Sequence, residues 1–349
     1  MKEYRIALYP GDGIGPEVTD QAVRLLETVA GQSRNFAFRF TSFPWGANYY
    51  AEHGRVMAAD FLEVLRPFDA MFLGAVGWPE KLPDHITLTP LIRIRQTFDQ
   101  YACVRPAKLW PGVRSPLRTD APIDMVVVRE NSEGEYIDNG GRFKVGRPEE
   151  FAVQTALHTR RGIERILKFS FELARTRRHR LTMITKSNAQ KYGYVLWDEI
   201  LEEMRGQFPD VTTDKQHIDA AALNFVRRPE HFDVVVASNL FGDILTDLSA
   251  GIIGGMGLAP SANLNPERQF PSLFEPVHGS APDIAGKGIA NPVAAILGAA
   301  MMLDWLNEKD SAARIQQAVE HTLKDGARTP DLGGRLSTSQ MTDVIVQNL

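Results

Sequence analysis

Short apolar runs rich in β-branched residues alternate with longer stretches of period 3.6 along almost the whole chain. Residues 5–9, 70–74, 125–130, 181–185 and 233–238 read as buried strands, and Phe36, Phe38 and Phe40 alternate as a half-buried one. Between the first two strands, Val18, Ala22, Leu25, Leu26 and Val29 form the apolar stripe of a helix that opens after Pro16, with Gly31 as its expected stop. Further helices are expected from about residue 60, from Pro90, and over 159–175 through Ile163, Ile166, Leu167 and Phe171. Others cover about 195–207 and 293–303, and residues 312–349 read as a helix, a Thr-Pro loop and a final amphipathic helix. Residues 211–218 read as a strand that opens into Asp219. Strand alternating with helix predicts the α/β class with much parallel sheet.

The polar interruptions carry the candidate chemistry. After the strand 233–238 a helix carries Asp243 and Asp247 four residues apart, on one face. Like charges at that spacing repel. A hard divalent cation would relieve them, and so would a helix N-terminus that favours acids. Spacing leaves both readings open. Arg95 on a helix, Arg105 in a strand and Arg129 at a strand end could converge on carboxylates by bidentate pairing. Leu91 and Ile92 lie about one turn from Arg95, so both are expected to border a substrate held there. Lys186 closes the strand 181–185, at the strand end where α/β folds place their chemistry. The loop 75–89 is long enough to be functional.

The glycine turn Pro10 to Pro16 invites a dinucleotide-binding reading, but its spacing is G-x-G-x-G and no acid ends a second strand about 20 residues later. Residues 274–292 are Gly- and Pro-punctuated and offer backbone N–H groups, His278, Ser280 and Asp283, which could hold an adenosine diphosphate; by themselves the residues favour an ordinary surface loop. The basic run 175–180 reads as a solvated helix end that complements the dipole.

Composition narrows the field. A net charge of −4 argues against a general nucleic-acid binder. Cys103 is the only cysteine, so neither a disulfide framework nor a cysteine metal site is available, and a cytoplasmic setting is expected. No stretch is apolar enough over a sufficient length to span a bilayer, and no membrane partner is expected. A length of 349 residues suggests about two domains.

Taken together, PGDGIGPEV (10–18), RIRQTFDQYACVRP (93–106), VVRENSEGEY (127–136), TKSN (185–188), HIDA (217–220), NLFGDILTDL (239–248) and FEPVHGSAPDIAGKGIANP (274–292) resemble the β-decarboxylating dehydrogenases, the isocitrate/isopropylmalate dehydrogenase family. The wording of 74–88, 214–220 and 259–276 is most similar to the tartrate and D-malate branch. The resemblance implies an isopropylmalate-dehydrogenase-like α/β fold, not Rossmann, with two domains sharing a large mixed sheet. Residues 1–100 plus 256–349 would form the large domain and 101–255 the small one. It implies a homodimer with shared active sites. Arg95, Arg105 and Arg129 would clamp the substrate, Lys186 would be the base and Tyr136 the acid. Asp243, Asp247 and Asp219 of the partner subunit would hold Mn²⁺ or Mg²⁺, and a monovalent cation is a further candidate. NAD would lie against Asn188, Glu275, His278, Gly279, Ser280, Ala281, Asp283 and Asn291, with Asp283 repelling the 2′-phosphate of NADP. Leu88 stands where isopropylmalate enzymes carry a glutamate, which favours D-malate or tartrate over isopropylmalate. A non-catalytic regulatory subunit would be expected to lose these residues, and a metal-dependent hydrolase would have no use for 274–292.

Overall fold

The computed structural model describes residues 1–119 and 121–349. The apolar runs become strands β1 (Lys2–Gly11), β2 (Phe36–Ser42), β3 (Ala70–Ala75), β4 (Ala102–Lys108) and β5 (Asp124–Glu130). After a hairpin of β6 (Gly140–Phe143) and β7 (Phe151–Gln154) come β8 (Arg180–Thr185), β9 (Thr212–His217), β10 (Val234–Ala237), β11 (Pro260–Leu264) and β12 (Ser272–Pro276). All but the hairpin join one sheet in the order β2-β1-β3-β12-β11-β4-β5-β10-β8-β9. β11 runs antiparallel to both neighbours and β4 antiparallel to β5, while the remaining pairs are parallel. Two parallel blocks of opposite sense therefore meet at the centre. The sheet is mixed and large, and its strand order is not that of a Rossmann sheet.

Helices cover the sheet as their stripes require. The helix Val293–Trp305 is apolar on nearly every side, with Ala294, Ile296, Leu297 and Met302 all buried. It packs between β11–β12 and the amphipathic helix Lys309–Lys324. The helix Arg160–Arg175 buries Ile163, Ile166, Leu167 and Phe171 as its spacing predicts, with Thr159 as its N-cap, accepting from the Gly162 N–H.

Several expectations need correction. The first helix (Gly15–Ser33) runs past Gly31 and closes at Arg34 in the left-handed region, φ 58°. One interior glycine costs a helix only about 1 kcal/mol. The basic run 175–180 is not a simple solvated end. Arg177 donates to Asp124 and to the buried carboxylate of Asp233, and the Arg178 backbone N–H donates to Asp233 as well. The β6–β7 hairpin, the strand β11 and the helix Ile218–Arg227 lie outside the expected elements, although Ile218, Ala221, Ala222 and Phe225 do have helical spacing. In the hairpin, Phe143 and Phe151 stack with centroids 4.9 Å apart yet stay about half exposed.

The glycine turn is a packing device. The N–H groups of Asp12 and Ile14 donate to the carbonyls of Ala75 and Ser280, and the Gly15 N–H to Asp12. Gly13 has φ 59°, and a Cβ there would lie 1.9 Å from the Ser280 carbonyl oxygen. The buried Asp12 carboxylate accepts from the N–H groups of Ala47 and Gly77. The turn thus pins together the segments after β3 and β12.

Candidate active site

Side-chain alternation in the central strands builds the floor of the site. Ser261 pairs with Glu275, Asn263 with Cys103, and Cys103 with Arg129. Paired residues share a face, and residues two apart share it too. Ser261 and Asn263 of β11, Cys103 and Arg105 of β4, Arg129 of β5 and Glu275 of β12 therefore point the same way. Ala262, Val104, Val128 and Phe274 turn to the other face and join the core. The helix Asn239–Ile252 packs over β4 and β5. It can rest there because Gly242 has no side chain: a Cβ at that position would lie 2.6 Å from the Arg129 Cβ.

The arginines are held firmly. Arg129 donates from Nε and Nη2 to Asn239 Oδ1 at 2.9 and 2.6 Å, and from Nη1 to Asp243 Oδ1. Asn239 in turn donates to the Glu133 carbonyl at 2.9 Å. Arg105 donates to Ser261 Oγ at 3.2 Å, to Thr246 Oγ1 at 2.7 Å and to Asp243 Oδ1 at 3.4 Å. Arg95 reaches Glu275 Oε1 at 3.5 Å, and Asn263 Nδ2 donates to the same oxygen at 2.7 Å. Tyr136 donates its hydroxyl to Asp243 Oδ2 at 2.8 Å. These groups surround a cavity of about 190 Å³, whose walls also include Leu88, Leu91, Asp247, His278 and Gly279. That is below the ~300–1,000 Å³ of drug-sized sites and suits a small polar acid.

The two acids differ. Burial would raise the Asp243 carboxyl, but Arg129, Arg105 and the Tyr136 bond hold it below the ordinary range. Burial, with the charge of Asp243, raises Asp247 despite the pull of Arg105, and no hydrogen bond among the described residues stabilises it. Burial first, then the charge of Asp243, pushes Tyr136 up to about 12, so it keeps its proton at neutral pH. Asp247 is a carboxylate short of positive charge, in reach of the cavity beside a second carboxylate. The donor set fits one hard divalent cation with two protein ligands. Among the described residues no group of three His, Cys, Asp or Glu side chains is placed to hold a metal ion.

The remaining sequence-selected residues lie elsewhere. Lys186 Nζ donates to Asp219 Oδ1 at 2.9 Å, outside the cavity. That bond holds the exposed Asp219 carboxyl below its ordinary range. Asn188 and Asp283 are exposed, Ala281 is half-buried with φ 39°, and the buried Ser280 supports the glycine turn through its carbonyl. Asn291 is engaged at both ends of its amide, donating to Asp331 and accepting from the Val293 N–H. Ile92, expected beside the substrate, does not line the cavity, because one helical step turns it from the face that carries Leu91. Asn239, Thr246, Ser261 and Asn263 were not singled out. The only signal for Asn239 and Thr246 was their place beside the acid pair in residues 239–248.

A buried arginine triad faces two helix-borne acids beside a mixed ten-stranded sheet, and the comparisons say to which class of protein this arrangement belongs. The isocitrate/isopropylmalate dehydrogenase family matches over residues 5–345, and the chain belongs to that family, an oxidoreductase. It is similar to a probable tartrate dehydrogenase/decarboxylase of Agrobacterium vitis, 51% identical over 99% of this chain and 97% of that one. It is also similar to the D-malate dehydrogenase [decarboxylating] of Escherichia coli (strain K12), 51% identical over 99% of this chain and 98% of that one. The crystal structure of isocitrate dehydrogenase from Methylococcus capsulatus matches with a TM-score of 0.88 at 37% identity, over 99% of both chains. Among the described residues no helix is long and apolar enough to cross a membrane.

Proposed function

We propose that the chain oxidises a malate-type 2-hydroxy acid with NAD and releases CO₂, D-malate giving pyruvate and tartrate being accepted. The observation that carries this reading is the convergence of Arg95, Arg105 and Arg129, each nine-tenths buried, on one small cavity with Asp243 and Asp247. A diacid supplies the carboxylates that such guanidinium groups pair with. The arginines orient C2 and its hydroxyl toward the acid pair. Bound at Asp243, Asp247 and Asp219 of the partner subunit, a Mn²⁺ or Mg²⁺ ion would steady negative charge on the C2 oxygen, while NAD would take the C2 hydride. Lys186 accepts the hydroxyl proton. The C3–C4 electrons then become the C2–C3 π bond as CO₂ leaves, and Tyr136 returns a proton to C3.

The Lys186–Asp219 pair lies outside its own chain's cavity, which supports a homodimer in which it serves the partner's site. The half-exposed apolar residues Phe143, Val153, Leu223 and Ile244 support such an interface. The sheet supports the two-domain division: β2, β1, β3, β12 and β11 come from residues 1–100 and 256–349, and β4, β5, β10, β8 and β9 from 101–255. His278 and Gly279, at one wall of the cavity, would hold the nicotinamide end of NAD, and the exposed Asp283 would bind its adenosine ribose.

A second reading, 3-isopropylmalate, has one observation in its favour: Leu88 and Leu91 line the cavity and could border an isopropyl group. The relatives' names and Leu88 itself weigh toward D-malate. The test is NADH and CO₂ formation by the purified protein over D-malate, tartrate, isopropylmalate and isocitrate, with Mn²⁺ and with excess chelator. D-malate is expected to give the highest kcat/KM, with no turnover under chelation. A tenfold preference for isopropylmalate reassigns the substrate, and full activity under chelation removes the metal.

A further inference from the structure

We propose that a second cavity, behind the corner where the helices Asp84–Thr87 and Thr89–Thr97 meet, binds a small organic anion, a carboxylate on a hydrocarbon body, and tunes substrate affinity through that corner. The cavity is a groove of about 290 Å³. Its walls are Val56, Met57, Phe61 and Ile86, and two guanidinium groups, Arg55 and Arg93, stand at its edge with no carboxylate among the lining residues. Arg93 lies over the Phe61 ring, 5.6 Å from its centroid. Apolar walls with two uncompensated cations define the ligand by charge and by polarity: hydrocarbon gains from leaving water, and a carboxylate pairs with arginine. A neutral or cationic molecule of the same size meets only half of these conditions.

The groove also marks an unfilled seam. Met57 and Phe61 belong to one apolar cluster with Leu91, while Val56 belongs to another with Leu82, against which Tyr50 and Ile86 pack. Protein interiors are otherwise close-packed, so a hydrocarbon body between these clusters would tie the 78–88 segment to the body of the sheet.

Position gives the groove its consequence. Ile86 of the first helix and Thr89, Pro90 and Arg93 of the second line the groove. Leu88, Leu91 and Arg95 turn the other way and line the active-site cavity. The same short corner therefore forms a wall of both, and an occupant of the groove that shifts the corner shifts Arg95.

Calorimetric titration with octanoate tests this, with octylamine as the reversed-charge control and an Arg55→Gln/Arg93→Gln variant altered only at exposed side chains. Saturable octanoate binding is expected, at least tenfold weaker in the variant and absent for octylamine. Saturating D-malate is expected not to displace it, and bound octanoate to change KM for the fastest substrate at least twofold in the wild type alone. Absence of saturable binding, undiminished binding by the variant, or displacement by D-malate would overturn the site. Binding that leaves KM unchanged would overturn the coupling.

Discussion

Two buried Asp–Arg constellations stand at opposite ends of the strand β10, and they are built to different rules. At its start, Asp233 has a side chain only 1% exposed. It receives Arg177 Nε at 2.8 Å and the Arg178 and Arg180 backbone N–H groups at 2.8 and 3.4 Å. Both carboxylate oxygens find donors, and Asp233 itself lines none of the cavities beside Arg177, Arg178 and Arg180. Beyond its end, Asp243 and Asp247 share a cavity with three arginines, and Asp247 is left without a hydrogen bond, its carboxyl raised by burial. A structural acid is satisfied within the chain; an acid that waits for a ligand is not.

Substitutions separate the two. Tyr136→Phe is expected to lower kcat about 10²–10⁴-fold, the range for a lost general acid, without a change in melting temperature. Asp247→Asn is expected to lower kcat about 10²–10³-fold, as for removal of a charge-stabilising group, and to leave the fold at least as stable, since an underpaired carboxylate is removed. Asp233→Ala should do the reverse. Chemical denaturation is expected to show a loss of about 1–3 kcal/mol, because the Arg178 N–H and Arg177 lose their buried acceptor while Arg177 keeps Asp124, with kcat of the folded fraction unchanged. Equal stability losses for Asp247→Asn and Asp233→Ala would erase the distinction.

A smaller effect concerns two histidines, His278 in the cavity wall and His158 against Tyr194 and Trp197, both pushed down from 6.5 mainly by burial. The folded chain then refuses protons that the unfolded chain takes up. Their contribution to stability is full above pH 6.5 and is lost as pH falls toward the folded values, with a slope of at most about 1.4 kcal/mol per pH unit for each. His158→Gln, which can still accept from Trp197 Nε1, is expected to flatten the slope below pH 6.5 in denaturation followed by tryptophan fluorescence. An unchanged slope would place that titration elsewhere.

The Val-rich strands and amphipathic helices were legible because burial on one face writes a period into the sequence. β11 was not, since Ser261 and Asn263 are polar yet buried, held by Arg105 and Glu275, partners far away in the chain. The β6–β7 hairpin was missed for the opposite reason: its apolar residues face outward. Arg95, Arg105, Arg129 and the acid pair were visible as residues with suitable chemistry, but it takes the register of β4 and β5 and the packing of the helices Thr89–Thr97 and Asn239–Ile252 to bring them to one cavity. The lock at Asp233 had a faint signal, a charge at the head of an all-apolar strand.

The contrast between the satisfied and the waiting acids is tested most directly by Mn²⁺ binding, followed by electron paramagnetic resonance in the wild type, Asp247→Asn and Asp233→Asn. One Mn²⁺ per chain is expected, bound at least tenfold more weakly by Asp247→Asn and with undiminished affinity by folded Asp233→Asn. Equal Mn²⁺ affinity in the wild type and Asp247→Asn would contradict the account.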